Sequence, residues 1–302
     1  VDATEEQVKE LSAALPDCAI FWRVPIGAGY YDNTVSRLKL PSDTPASDVY
    51  RLAYFPNLTR VDASDCPITE ALLDKCHPFE NVSFTWQIDG VTVSAASTKL
   101  DFAGRTIASI EPLKAVLNHY PNIREVDLTG AVVSNEALLS LSKRYAQADI
   151  VRTVEIAGRR ESCWTTALEL TETDPAMTPH LADALSRFPL LETVDLSGQP
   201  FPMADVELLK DAHPAVEFHF TLDVFAKRLS TRAETIDLSG TPVPAPEEAI
   251  RALKHFPNLR EVNMCDCGLT DAQMERLTQA FPNVQFVWYI RIGGWKIRAD
   301  IT

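Results

Sequence analysis

Six carboxylates occupy one recurring place in this sequence. Asp62, Asp101, Asp127, Glu169, Asp195 and Asp237 each sit between two apolar residues in a short run, as in Val61-Asp62-Ala63, Leu100-Asp101-Phe102 and Ile236-Asp237-Leu238. Side chains of an extended segment alternate between two faces, so apolar neighbours that point into a core send the intervening carboxylate to the other face. A row of such groups can hold a divalent cation or a basic partner. Trp164 and Trp295 fall in turn-rich stretches, where an exposed indole stacks on a sugar or anchors a protein partner. These eight residues form the candidate ligand-binding set. Each also has a plain structural reading: carboxylates that accept bonds from nearby Ser, Thr or Arg and stay solvated, and tryptophans that pack on a neighbouring segment.

Catalytic chemistry finds less support. No Gly-x-Ser-x-Gly, His-Glu-x-x-His or P-loop pattern occurs. His77, His119, His213 and His255 all stand just before a proline or an aromatic-proline pair, at expected helix C-termini, where a partly cationic ring suits the helix dipole. Cys265 and Cys267 are two apart, with no second close pair and no histidine at ligand spacing, so the cysteines predict no zinc site. Cys66 and Cys267 read as buried thiols at strand-exit turns, and a disulfide through Cys76 or Cys163 stays open. The expectation is a chain that is not an enzyme, with no cofactor and no metal.

The elements that position these residues repeat. Phe55-Pro56-Asn57-Leu58, Tyr120-Pro121-Asn122-Ile123, Phe188-Pro189-Leu190-Leu191 and Phe256-Pro257-Asn258-Leu259 begin 65, 68 and 68 residues apart. Strands are predicted near 37–40, 61–63, 100–102, 126–128, 168–170, 194–196, 236–238 and 262–264, in one parallel sheet. Apolar spacing and capping signals predict helices near 47–55, 70–76, 111–119, 135–144, 179–187, 204–212, 246–255 and 271–280. First and second strands of a block should be neighbours about 4.8 Å apart. That puts Asp101 beside Asp127 and Glu169 beside Asp195, like charge against like, unfavourable unless a cation or basic residue intervenes. Lys39 faces Asp62, and Asp237 faces Asn263. Each block also holds a longer aromatic third strand, such as Val82–Ile88 or Val216–Phe220. Asp89-Gly90 and Gly293-Gly294 then signal a β-hairpin once per block, in place of a crossover helix.

Leu259-x-x-Val262-x-Met264-x-x-Cys267-x-Leu269 and Leu58-x-x-Val61-x-Ala63-x-x-Cys66-x-Ile68 fit the pattern L-x-x-L-x-L-x-x-N/C-x-L. The chain resembles the leucine-rich repeat family, with ribonuclease-inhibitor-like, cysteine-containing units, and is similar to bacterial cell-surface leucine-rich repeat proteins. The resemblance implies an α/β fold: a right-handed solenoid, or horseshoe, with a parallel concave sheet, outer helices and periodic β-hairpin arms. It spans residues 1–302 as one domain, with a partial block over 1–36 and four blocks of about 65–68 residues after it. It implies a protein-binding scaffold that uses the concave face, and the carboxylates there favour a protein or peptide ligand of basic character. The alternative is a carbohydrate or cell-wall binding module that uses hairpin aromatics.

Composition narrows the partners. A formal net charge of −14 disfavours nucleic acid and anionic membrane. No apolar run approaches the ~20 residues of a membrane-spanning helix, so a membrane-embedded chain is not expected. The sequence starts Val1-Asp2-Ala3-Thr4. A removed secretion signal explains that start, as does a cloning boundary. The expected location is extracellular or the cell surface.

Overall fold

The computed structural model describes residues 3–299, apart from the side chain of Arg291. The chain divides into two compact units, Val1–Thr153 and Val154–Thr302.

The first unit opens with helix α1 (Glu5–Ala14) and hairpin β1 (Arg23–Ile26) and β2 (Gly29–Asp32). Thr4 caps α1 reciprocally with Gln7, its amide donating to Gln7 Oε1 at 2.9 Å. Strands β3 (Arg37–Lys39), β4 (Arg60–Asp62) and β5 (Ser83–Ile88) pair in parallel, and β6 (Val91–Ser94) returns antiparallel on β5. A 3-10 helix, Ala46–Tyr54, links β3 to β4, and α2 (Glu70–Cys76) links β4 to β5. The next sheet holds β7 (Lys99–Asp101), β8 (Glu125–Asp127) and β9 (Asp149–Val151), connected by α3 (Glu111–His119) and α4 (Asn135–Arg144).

The second unit repeats the plan. Hairpin β10 (Thr153–Ile156) and β11 (Arg159–Ser162) leads into β12 (Ala167–Glu169), β13 (Thr193–Pro200) and β14 (Glu217–Val224), again parallel, with β15 (Lys227–Ser230) antiparallel on β14. Their connections are a 3-10 turn (Pro175–Met177) running into α5 (Thr178–Leu185), and α6 (Met203–Ala212). The final sheet is β16 (Thr235–Asp237), β17 (Glu261–Asn263) and β18 (Gln285–Val287), with α7 (Pro246–Leu253) and α8 (Asp271–Ala280). Hairpin β19 (Tyr289–Ile292) and β20 (Trp295–Arg298) follows it.

Alternation drives this arrangement. One apolar, buried residue of every parallel strand stands at a shared register position, aligned across each sheet: Leu38, Val61 and Phe84; Leu100, Val126 and Ile150; Leu168, Val194 and Phe218; Ile236, Val262 and Phe286. Each such burial contributes about 1.5–3 kcal/mol. The flanking residues then take the opposite face. Several helices stop one residue before an aromatic-proline pair, with Tyr120 and Phe281 as C-caps of α3 and α8.

All eight first and second strands begin within one residue of their expected places, β13 running four residues past its expected end to Pro200, and the hairpins are present. One expectation is corrected: the strands do not join one sheet. Among the described residues the three parallel strands of each block form a sheet of their own. The cause is the hairpin. After the third parallel strand the chain doubles back, and in two sheets the returning strand, β6 or β15, occupies the edge where the next block would pair. The helix expected at 47–55 is also corrected, to the tighter 3-10 form. No side chain caps its start at Pro45, and Tyr50 and Tyr54 instead donate their hydroxyls to Glu5 at 2.7 and 2.8 Å.

No described helix is long and apolar enough to cross a membrane. None of the six cysteines is in a disulfide; Cys66 and Cys267 are buried at strand-exit turns as expected.

Candidate binding faces of the strands

The strand-end carboxylates share one local geometry. Oδ1 of Asp62, Asp101, Asp127, Asp195 and Asp237 accepts the backbone N–H two residues on, from Ser64, Ala103, Thr129, Ser197 and Ser239, at 2.9–3.0 Å. This closes the turn that leaves the parallel ladder, since a short carboxylate reaches its own chain two residues on. Asn263 does the same for Cys265 at 3.2 Å, so the bond needs an oxygen and not a charge. Glu169, one methylene longer, forms no such bond. It lines a recess of about 470 Å³ with Arg159, Glu172 and Asp174.

The expected like-charge neighbours are present: Asp101 is the register partner of Asp127, and Glu169 of Asp195. Basic residues of the chain itself sit beside them. Lys99 Nζ lies 2.7 Å from Glu125 Oε1 and 3.9 Å from Asp127 Oδ2. Arg232 Nη2 lies 3.1 Å from Asp195 Oδ2. Burial alone would raise the Asp195 carboxyl, but the Ser197 hydrogen bonds, Arg232 and His219 outweigh it and hold it below the usual range. The Ser64 hydrogen bonds likewise depress Asp62, and those of Ser239 depress Asp237. Five of the six carboxylates therefore close turns, and Asp127 and Asp195 also pair with basic residues of the chain.

The first sheet has the opposite character. Arg37 and Arg60 are register partners on β3 and β4, both exposed, on the face away from Leu38 and Val61. Lys39 stands on the same face and pairs with Asp65 at 2.7 Å. Among the described residues neither the Arg37 nor the Arg60 guanidinium has a carboxylate or hydrogen-bond partner. The two arginines line an open recess of about 470 Å³ with Lys39, Asp62, Ser64 and Thr85. The signal was available in the sequence, two residues before the carboxylate row. Read across the sheets, that earlier row is Arg37-Arg60-Ser83, Lys99-Glu125-Asp149, Ala167-Thr193-Glu217 and Thr235-Glu261-Gln285. Only the first is basic throughout its charged positions.

The tryptophans separate. Trp164 is half-buried against the core of the second unit. Trp295 is 77% exposed on β20, beside Ile292 at 61% and Ile297 at 44%, with exposed Lys296 and Arg298 on the same strand. His77 and His213 cap the C-termini of α2 and α6, and His119 ends α3.

No family model matches the sequence, and no curated protein matches it. Among solved structures, similarity extends to an LRR protein of Leptospira interrogans, at 12% identity over 82% of this chain and 74% of that chain, with a TM-score of 0.20. It extends also to a member of the enolase superfamily from Listeria innocua, at 11% identity over 61% of this chain and 40% of that chain, with a TM-score of 0.17. The chain thus spans less than half the length of the enolase-superfamily protein. Scores this low transfer neither fold nor activity. The expectation that the chain is not an enzyme is withdrawn: a missing linear motif does not exclude catalysis. The physical reason is that catalytic groups converge from distant segments, which a motif search along the chain does not see.

Proposed function

We propose that the chain is a leucine-rich-repeat-type scaffold for protein binding, and that the exposed face of β3–β5 receives an acidic segment of the partner. The carrying observation is the Arg37–Arg60 pair. Like charges on directly paired strand residues are unfavourable, at roughly 0.2–1 kcal/mol. A carboxylate laid across them would remove that repulsion through bidentate, charge-assisted hydrogen bonds. The carboxylate rows, in contrast, already have Lys99 and Arg232, so a basic ligand there would have to displace an internal partner.

The reading includes the single-domain, right-handed repeat solenoid that the sequence resemblance implies, and a location at the cell surface. The repeat scaffold is supported by the fourfold block, the parallel strands and the recurring strand-exit turns. The test uses two fluorescent probes, an oligo-glutamate and an oligo-lysine peptide. Oligo-glutamate should bind, weaken as salt rises, and lose most of its affinity in Arg37→Gln/Arg60→Gln. Preference for oligo-lysine, or equal binding of oligo-glutamate by the variant, would sink the proposal.

A further inference from the structure

His119 ends α3 with both ring nitrogens engaged. Nδ1 lies 2.9 Å from the Ala115 carbonyl oxygen. A carbonyl oxygen only accepts, so Nδ1 carries the hydrogen and donates it. In the neutral ring, Nε2 then presents a lone pair. Asp74 Oδ1, also an acceptor, lies 2.9 Å from that nitrogen. Two lone pairs do not face each other at this distance unless something cationic lies between them, either a proton or a metal ion. Glu70 supplies a third group. It stands four residues before Asp74 on the same face of α2, and the ligand atoms of Glu70, Asp74 and His119 all fall within 4.8 Å of one another.

We infer that Glu70, Asp74 and His119 form a binding site for a divalent transition-metal ion, with Zn²⁺ the natural probe. Zn²⁺ binds nitrogen and carboxylate oxygen at about 2.0–2.2 Å in tetrahedral geometry, which separates ligand atoms by roughly 3.3 Å. Asp74 Oδ1 already stands 2.9 Å from Nε2, whereas Glu70 Oε2 lies 3.3 Å from Nδ1, so the Glu70 carboxylate must swing along the ring edge to reach an ion held at Nε2. The Ala115 bond fixes the tautomer and aims Nε2, the role an outer-shell acceptor plays for a metal-bound histidine. Glu70 also accepts from Asn118 Nδ2, which holds its carboxylate over the α2–α3 seam. Three protein ligands leave the fourth position to water. A nitrogen ligand argues against Mg²⁺ and Ca²⁺, which prefer all-oxygen shells.

The second unit supplies an internal control. Its α6 and α7 correspond to α2 and α3, and His255 occupies the position of His119, both two residues before a proline. Lys210, three residues before His213-Pro214, occupies the position of Asp74, three residues before His77-Pro78. A lysine there excludes a cation, so the chain should bind one ion at such a seam and not two.

The experiment is calorimetric titration of tag-free full-length chain with Zn²⁺, with X-ray absorption at the zinc edge as a second readout. The expected result is one micromolar site with a nitrogen/oxygen shell and no sulfur, weakened at least about tenfold in His119→Ala and in Asp74→Asn. Both variants change exposed or partly exposed groups, and their folding is checked by circular dichroism. Absence of binding up to high micromolar Zn²⁺, undiminished affinity in both variants, or a sulfur-dominated shell that moves the ion to a cysteine would each overturn the inference.

Discussion

Trp86 Nε1 donates to the Tyr120 hydroxyl at 2.7 Å, tying the third strand of one sheet to the end of the helix that serves the next. Trp86 is fully buried, and burial raises the Tyr120 phenol above its ordinary range. At the matching places the second unit has Phe220 and Phe256, both buried and without polar atoms. The repeat thus solves one packing problem twice, once with a bonded polar pair and once with two hydrocarbon rings. Tyr120→Phe should therefore cost about 1–3 kcal/mol, because it strands a buried indole N–H. Trp86→Phe combined with Tyr120→Phe should cost less than the two single changes summed. Urea unfolding of the three variants checks this, and strict additivity would refute it.

The internal counter-charges make a second test. Lys99→Met leaves Glu125, Asp101 and Asp127 facing one another, and should destabilise by roughly 0.2–1 kcal/mol, more at low salt than at high salt. Asp127→Asn keeps the turn bond to Thr129 through its amide oxygen, as Asn263 does, while it loses Lys99 and relieves Asp101. Its net effect should be near zero. Denaturation at two salt concentrations distinguishes the two.

Thiol chemistry should be selective. Cys18 is exposed and the other five cysteines are buried. Burial pushes the Cys76 thiol up to about 12, so it stays protonated and unreactive. A disulfide-exchange reagent should modify one thiol in the native protein and six after unfolding. Cys18→Ser should abolish the native reaction, counted by mass spectrometry.

His255 sets a pH dependence. Burial pushes its imidazole below the ordinary 6.5, with Lys210 adding to the effect and Glu207 opposing it. The folded pKa is therefore depressed. As pH falls through about 6.5 the unfolded chain takes up a proton that the folded chain does not, so stability declines from there down to the folded pKa. His255→Gln should lose less stability than the parent between about pH 7.5 and about pH 5. An identical loss in both proteins would count against this account.

Backbone strain gives a further prediction. Phe225 and Ala226 form the β14–β15 turn with φ of 47° and 65°, where the β5–β6 and β10–β11 turns place glycine second, at Gly90 and Gly158. A left-handed residue with a Cβ costs roughly 1–2 kcal/mol. Ala226→Gly should raise the midpoint of thermal unfolding; a lower midpoint would show that the methyl group packs usefully.

Much of the fold was legible in the sequence because alternation and proline punctuation are local. The centre of each strand, the helix ends at Tyr120-Pro121 and Phe281-Pro282, and the pairing of Asp101 with Asp127 all follow from spacing. What spacing could not convey was which neighbour neutralises a charge. Arg232 reaches Asp195 from the end of a hairpin 37 residues away, and Lys99 leans across to Glu125. The break into separate sheets was hidden for a similar reason. A hairpin signal states that the chain reverses, not that the reversed strand ends the sheet. The Arg37–Arg60 pair occupies the other row of the strand face from the carboxylates, and the Glu70–Asp74–His119 group spans two helices, so no spacing along the chain joins the members of either.

The separation of the sheets also bears on how the chain finds its fold. Every parallel pair joins strands 23 to 26 residues apart, as in Leu38 with Val61 and Leu100 with Val126. Parallel pairing is usually slow because a long loop must close before any contact rewards it. Here the loop is never long, and no described strand awaits a partner from another block. Each block can therefore assemble as it leaves the ribosome, before the next is made. Hydrogen exchange should show protection arriving in four steps along the chain, each spanning one triplet of strands, and not in a single transition.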